Sequence, residues 1–170
     1  MKLFKKLAAA VLVAALALMM VGCGGTQTDL AQQIKNAVSD ITVVMRGEQA
    51  TDSKDLDALA AKLLTEYDNE IAALDEDEDA DWPDLQDLLD DEKFLQKVGV
   101  DPEKDAYEVS LVHIPSYISD TMNQLKPFSL AEQLRHGDFA IGRPDIGRKY
   151  EFGLAIGTLD GENWVLMLKK

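Results

Sequence analysis

The closing stretch of the chain restricts its fold more than any other. Tyr150 to Thr158 and Asn163 to Leu168 are two apolar runs joined around Asp160-Gly161. An Asp-Gly pair between such runs is a strong hairpin signal, because tight two-residue turns need residues that accept a positive φ. Along the first run Phe152, Leu154 and Ile156 alternate with the small residues Gly153 and Ala155. Neither face has the polar character of a solvated sheet, so the hairpin requires cover on both sides.

Helices suited to that task lie upstream. Leu30, Ile34, Ala37, Val38, Ile41 and Val44 or Met45 recur at helical spacing after Thr28, a candidate cap, and Gly47 closes the stripe. A second stripe, Leu56, Leu59, Ala60, Leu63, Tyr67, Ile71 and Leu74, starts near Asp52 or Ser53, either of which can cap it. Asp55 and Asp57 fall in its first turn, where the helix dipole favours negative charge. The polar faces are acidic, whereas a membrane-surface helix would present Lys and Arg; both stripes are therefore core. Pro83 suits the first turn of a short helix carrying Leu85, Leu88 and Leu89, and a further turn through Phe94, Leu95 and Val98 ends at Gly99. Asp101-Pro102 marks a loop. Tyr107 to Ile114 reads as a strand stopped by Pro115, Ser129 to Arg135 as a short helix, and Gly142 to Arg148 as an irregular loop. Helices first and strands later predict an α+β domain: amphipathic helices in the N-terminal half, then a small antiparallel sheet ending in the hairpin.

The start of the chain has a separate character. Lys2, Lys5 and Lys6 precede an uninterrupted apolar run from Leu7 to Val21, and Gly22-Cys23-Gly24-Gly25 follows. A basic head, a short apolar core and a small-residue exit are the parts of a secretory signal peptide. The run is shorter than the ~20 residues a membrane-crossing helix needs. Cys23 is the only cysteine, so an exported domain has no disulfide, and the lone thiol is free, intermolecular or modified. Met20-Val21-Gly22-Cys23 resembles the lipobox of bacterial lipoproteins. That resemblance implies cleavage before Cys23, a thioether-linked diacylglycerol on its sulfur, and an N-acyl group. Two or three such chains anchor a protein stably where one does not. The expected organisation is a signal peptide over 1–22, a lipidated Cys23 with a short flexible tether over 23–28, and one acidic domain over 29–170. Losing residues 1–22 leaves 148 and, with three lysines gone, takes the formal charge from −14 to −17. Such a domain repels phosphate polymers, which excludes nucleic acid as a partner.

Three groups of residues invite a chemical reading. Asp75, Asp77, Asp79 and Asp81 have the alternating spacing of a Ca²⁺ loop, but Ala80 and Gln86 stand where an EF-hand needs its turn glycine and closing glutamate. The run is accordingly expected to be a solvated, self-repelling loop with no bound metal. Residues 126–150 reverse the charge, with Lys126, Arg135, Arg143, Arg148 and Lys149 against Glu132, Asp138 and Asp145. Arg135, His136, Arg143 and Arg148 are therefore candidates for an anion or partner site, since arginine offers a planar fork to carboxylate or phosphate. The two histidines, His113 and His136, lack metal-ligand spacing, and Ser110, Ser116 and Ser129 lie in no nucleophile elbow.

The hairpin residues Phe152-Gly-Leu-Ala-Ile-Gly and Asp160-Gly-Glu-Asn-Trp-Val165 also resemble the last hairpin of the CAP superfamily of secreted α-β-α sandwiches. Those domains place two His and two Glu in a shared cleft and often carry a Gly-Glu-Asn segment in mid-chain. Here Gly161-Glu162-Asn163 falls in the final turn, so no functional residue is carried over. The expectation is a non-enzymatic module, without cofactor, held to the membrane through Cys23. It would bind an envelope protein, a wall component or a small exported ligand. The alternative is a small envelope hydrolase, or a CAP-like domain, using His113 or His136 with a carboxylate.

Overall fold

The computed structural model describes residues 25–74, 82–115 and 120–170. The expected signal peptide, Cys23, the acidic run from Asp75 to Asp81 and Ser116 lie outside the described residues. The first helix, α1, spans Gly25–Asp40 and continues as a π-helical turn over Ile41–Met45. It begins before Thr28, so part of the stretch expected as a tether is helical and Thr28 is not the cap. Once nucleated, a helix extends at one hydrogen bond per residue fixed, which lets it run past a local cap signal. Gly47, with φ 66°, closes it as the sequence implies.

Strand β1 (Gln49–Asp52) leads into α2 (Lys54–Leu74). Two short helices follow, α3 (Leu85–Leu89) and α4 (Glu92–Val98). Asp84 is the N-cap of α3 and accepts a hydrogen bond from the Gln86 N–H at 2.7 Å, so Pro83, expected in the first turn, lies just before the helix. Asp91 caps α4 in the same way, and Gly99, with φ 86°, ends it. After β2 (Tyr107–His113), helix α5 spans Asp120–Leu134, with Pro127 inside it. The sequence predicts only its last turns, because a proline normally marks a helix start. Here Pro127, Leu130, Ala131 and Leu134 are all buried, and tertiary packing overrides that local signal. Strand β3 (Phe139–Ile141) precedes the irregular loop, and β4 (Lys149–Leu159) and β5 (Glu162–Lys169) form the closing hairpin. Asp160 (φ 48°) and Gly161 (φ 77°) make its two-residue turn, both in the left-handed region that the Asp-Gly pair requires.

The five strands form one sheet in the order β1-β4-β5-β2-β3. All neighbours are antiparallel except β1, which runs parallel to β4, so the sheet is mixed. Its two faces carry separate cores. On one, Ile34, Ala37, Val38 and Ile41 of the first helix and Leu130, Ala131 and Leu134 of α5 cover Phe152, Leu154, Val165 and Met167. On the other, Leu56, Ala60, Leu63, Leu64 and Tyr67 of α2, with Leu89 and Phe94, cover Val109, Ala155, Leu166 and Leu168. The alternation of β4 and β5 between these clusters is the two-sided cover that the hairpin demands.

Gly153 fixes how closely α2 can approach. A Cβ there would stand 2.3 Å from the Asp57 nitrogen and 2.4 Å from the Leu56 carbonyl carbon. Asp57 in turn accepts the Leu154 N–H at 2.9 Å and pairs with Lys35 of α1, which also reaches Asp52 at 2.7 Å. One carboxylate thus ties α1, α2 and β4 together. Burial pulls the Lys35 ammonium toward its neutral form, but hydrogen bonds to Asp52 and Asp57 and their charges outweigh it, leaving the pKa above 10.5.

Candidate functional site

The site begins with a charge in an unexpected place. Glu108, near the start of β2, and Lys169, the last residue of β5, are register partners at one end of apolar strands, and they form an ion pair. Lys169 is buried, on the α1 and α5 side of the sheet. Its ammonium also donates to the Arg135 carbonyl at 2.9 Å, just past the end of α5. A cation there satisfies a terminal carbonyl and complements the helix dipole. Buried Ser110 secures the same terminus, donating to the Leu134 carbonyl and accepting the Gly137 N–H at 3.2 Å. Gly137 has φ 62°, and a Cβ on it would stand 2.6 Å from Glu108 Oε2. Only glycine gives both the turn and the room for the carboxylate.

Arg135 and His136 are thereby fixed at the wall of a cleft of about 280 Å³. Arg46 and Glu48, from the segment between the π-helical turn and β1, form another wall, with Glu108, Ile146, Gly147, Tyr150 and Lys169 completing it. The Arg135 side chain is only 7 % exposed. Its nearest carboxylates are distant for charge-assisted bonds: Nη1 lies 3.5 Å from Glu48 and Nε 3.4 Å from Glu132. Glu132 also meets Arg46 at 3.2 Å and lies 3.9 Å from His136 Nε2. The Tyr150 hydroxyl is buried without a hydrogen-bond partner among the described residues. The neighbouring Thr42 hydroxyl directs its own proton to the Val38 and Ser39 carbonyls, at 2.9 and 3.0 Å. Burial pushes the Tyr150 phenol up to about 12; the Glu48 charge adds to this, while Thr42 and Arg135 oppose it. The Lys169 ammonium stands 5.8 Å from the centre of its ring.

Of the candidates named from sequence, Arg135 and His136 line this cleft, whereas Arg143 and Arg148 are exposed and do not. The loop carrying them contributes Ile146 and Gly147 instead. Arg46, Glu48, Glu108, Tyr150 and Lys169 escaped the sequence reading. Glu108, a carboxylate among the apolar residues of β2, is the one that left a trace in the sequence; Lys169 ends β5 beside Lys170 and left none.

His113 and His136 share a second, open depression of about 540 Å³ with Leu111, Val112, Gln133 and Asp138. Each has its own carboxylate, however. His113 Nε2 lies 3.5 Å from Glu162 with its ring against Trp164, whose ring in turn lies 5.9 Å from that of Trp82. Among the described residues, no three His, Cys, Asp or Glu side chains are placed to hold a metal ion. No helix of the described residues is long and apolar enough to cross a membrane. Comparison with protein-family models, curated proteins and solved structures finds no match to this chain.

Proposed function

We propose that this chain is a lipid-anchored extracytoplasmic binding protein of the bacterial envelope, and that the Arg135–Lys169 cleft receives a small exported ligand. One observation carries the reading. In a chain of formal charge −14, three cations, Arg46, Arg135 and Lys169, converge on one cleft, two of them nearly buried. Structural ion pairs alone do not require an open cavity between them. The anchor comes from the lipobox resemblance at Cys23. Cys23 precedes the first helical residue, Gly25, by two positions, a span of at most about 7 Å. The domain would therefore sit against the bilayer. The first helix and its π-helical turn run from Gly25 to Met45, about 30 Å at 1.5 Å per residue. The cleft, beside Arg46, thus lies at the end of that helix remote from the anchor.

The test combines location with binding. The native protein should fractionate with membranes on the outer side, and the Cys23→Ser variant should lose processing and acylation. Small molecules from the envelope should bind the purified protein and lose affinity on Arg135→Ala substitution. Binding unaffected by that change would remove the cleft from the account. Turnover of the bound molecule, abolished by His113→Ala or His136→Ala, would replace it with the hydrolase alternative.

A further inference from the structure

We infer that the cleft selects a small hydroxylated monocarboxylate, an inference that rests on the cleft being the ligand site. The fixed charges cancel, three cations against three carboxylates. Arg46, Arg135 and Lys169 face Glu48 and Glu108, with Glu132 behind the two arginines and His136 at the wall. A ligand with two negative charges would unbalance that set about twice as much as one with a single charge; phosphate carries close to two at neutral pH. The donors, by contrast, do not cancel. Arg135 brings five N–H groups, yet its carboxylate contacts are 3.4 and 3.5 Å, longer than the ~2.7–2.9 Å of a well-made charge-assisted bond. Tyr150 adds a buried O–H without a hydrogen-bond partner among the described residues; the nearby Thr42 oxygen, whose own proton goes to backbone carbonyls, is the competing acceptor that a ligand would replace. An unmade bond on a buried hydroxyl is costly, and an acceptor atom of a ligand removes that cost.

A carboxylate answers this surplus. It is planar, carries one charge and matches the guanidinium fork, with one oxygen toward Arg135 and the other toward Tyr150. The Glu48 and Glu108 carboxylates are partly exposed and can accept from hydroxyl groups on the rest of the molecule. The volume, about 280 Å³, is that of roughly nine waters, which suits a short hydroxy acid.

The experiment is calorimetric titration of the full-length protein in detergent with acetate, lactate and gluconate, against glucose and inorganic phosphate, for the wild type, Tyr150→Phe and Arg135→Lys. Gluconate should bind most tightly, lactate next. Tyr150→Phe should weaken gluconate about tenfold or more, since a bond from a neutral donor to a charged group is lost. The same variant, free of ligand, should melt no lower than the wild type, because the unsatisfied hydroxyl is gone. Arg135→Lys should also weaken gluconate, by losing the fork. An unchanged gluconate affinity in Tyr150→Phe overturns the inference. So does stronger binding of phosphate or glucose in an Arg135-dependent manner, which would leave the cleft as a ligand site of another class. Binding of none of the five probes overturns the carboxylate class; the envelope small-molecule screen above then decides separately whether the cleft binds anything.

Discussion

Replacing Gly153 with alanine tests the seat of α2 on the sheet. The new methyl carbon would lie 2.3 Å from the Asp57 nitrogen, 2.4 Å from the Leu56 carbonyl carbon and 2.6 Å from Leu56 Cβ. Two of these are backbone atoms at the start of a helix, and no rotamer change moves them aside. Overpacking typically costs about 1–3 kcal/mol. Lifting α2 would also stretch the bond from Leu154 N–H to Asp57, 2.9 Å long, and the Lys35 pair on the same carboxylate. The upper end of that range, about 3 kcal/mol, is therefore expected. For a domain of this size each kcal/mol moves the Tm by about 2–4 °C, giving a drop of about 6–12 °C. Gly157→Ala is the internal control. Its Cβ would meet Leu64 Cδ2 at 2.7 Å, the end of a flexible side chain, so about 1 kcal/mol and about 2–4 °C is expected. Thermal unfolding followed by circular dichroism measures both. A Gly153→Ala protein that melts within about 2 °C of the wild type, or a Gly157→Ala protein that melts lower, would refute the close approach.

Three further outcomes follow from the same contacts. Lys35→Met leaves Asp52 and Asp57 as unpaired, partly exposed neighbours and should cost about 1–2 kcal/mol at neutral pH, read from urea unfolding. Because the folded-state pKa of Lys35 is raised, that contribution is fully present below 10.5 and fades as pH rises through the folded value; a penalty that grew with pH would contradict the pairing. Tyr150 holds its proton to about 12 against an ordinary 10.0, so folding stability should fall between those two values, and Tyr150→Phe should remove that part of the decline. Phenolate absorbance should accordingly show Tyr67 and Tyr107 ionising above 10.0, chiefly because burial raises both, with Tyr150 near 12. Gly137→Ala should cost about 1–2 kcal/mol from its left-handed backbone alone and should also displace Glu108, lowering ligand affinity; an unchanged melting curve would refute the local geometry.

What could be read from the chain follows the range of the interactions. The hairpin was legible because Asp160 and Gly161 satisfy a backbone demand within two residues. The stripes of α1 and α2 were legible because their buried residues repeat locally, except at their C-terminal ends, where Val44, Met45 and Leu74 were expected in the core and are exposed. Strand β1 was not: Gln49-Ala-Thr-Asp52 is largely exposed, has no apolar alternation, and pairs with residues a hundred positions later. Strand β3 is only three residues long, and Gln86 satisfies Ala140 through two side-chain amide bonds of 3.1 Å. Such an edge leaves no periodic signal. The cleft was half legible. Arg135 and His136 stand out as charge in a basic stretch, whereas Glu108, Tyr150 and Lys169 join them only when β2, β4 and β5 align. Arg143 and Arg148 carry the same local signal as Arg135, but nothing in the chain's local pattern distinguishes a loop residue that turns outward.

Native mass spectrometry of the protein extracted gently from its own membranes addresses the central claim most directly. The account expects a lipid-modified N-terminal Cys23 and an additional small acidic molecule that leaves on denaturation and is depleted in the Tyr150→Phe and Arg135→Ala proteins. An unmodified N-terminus, or an extra mass undiminished by both substitutions, would contradict it.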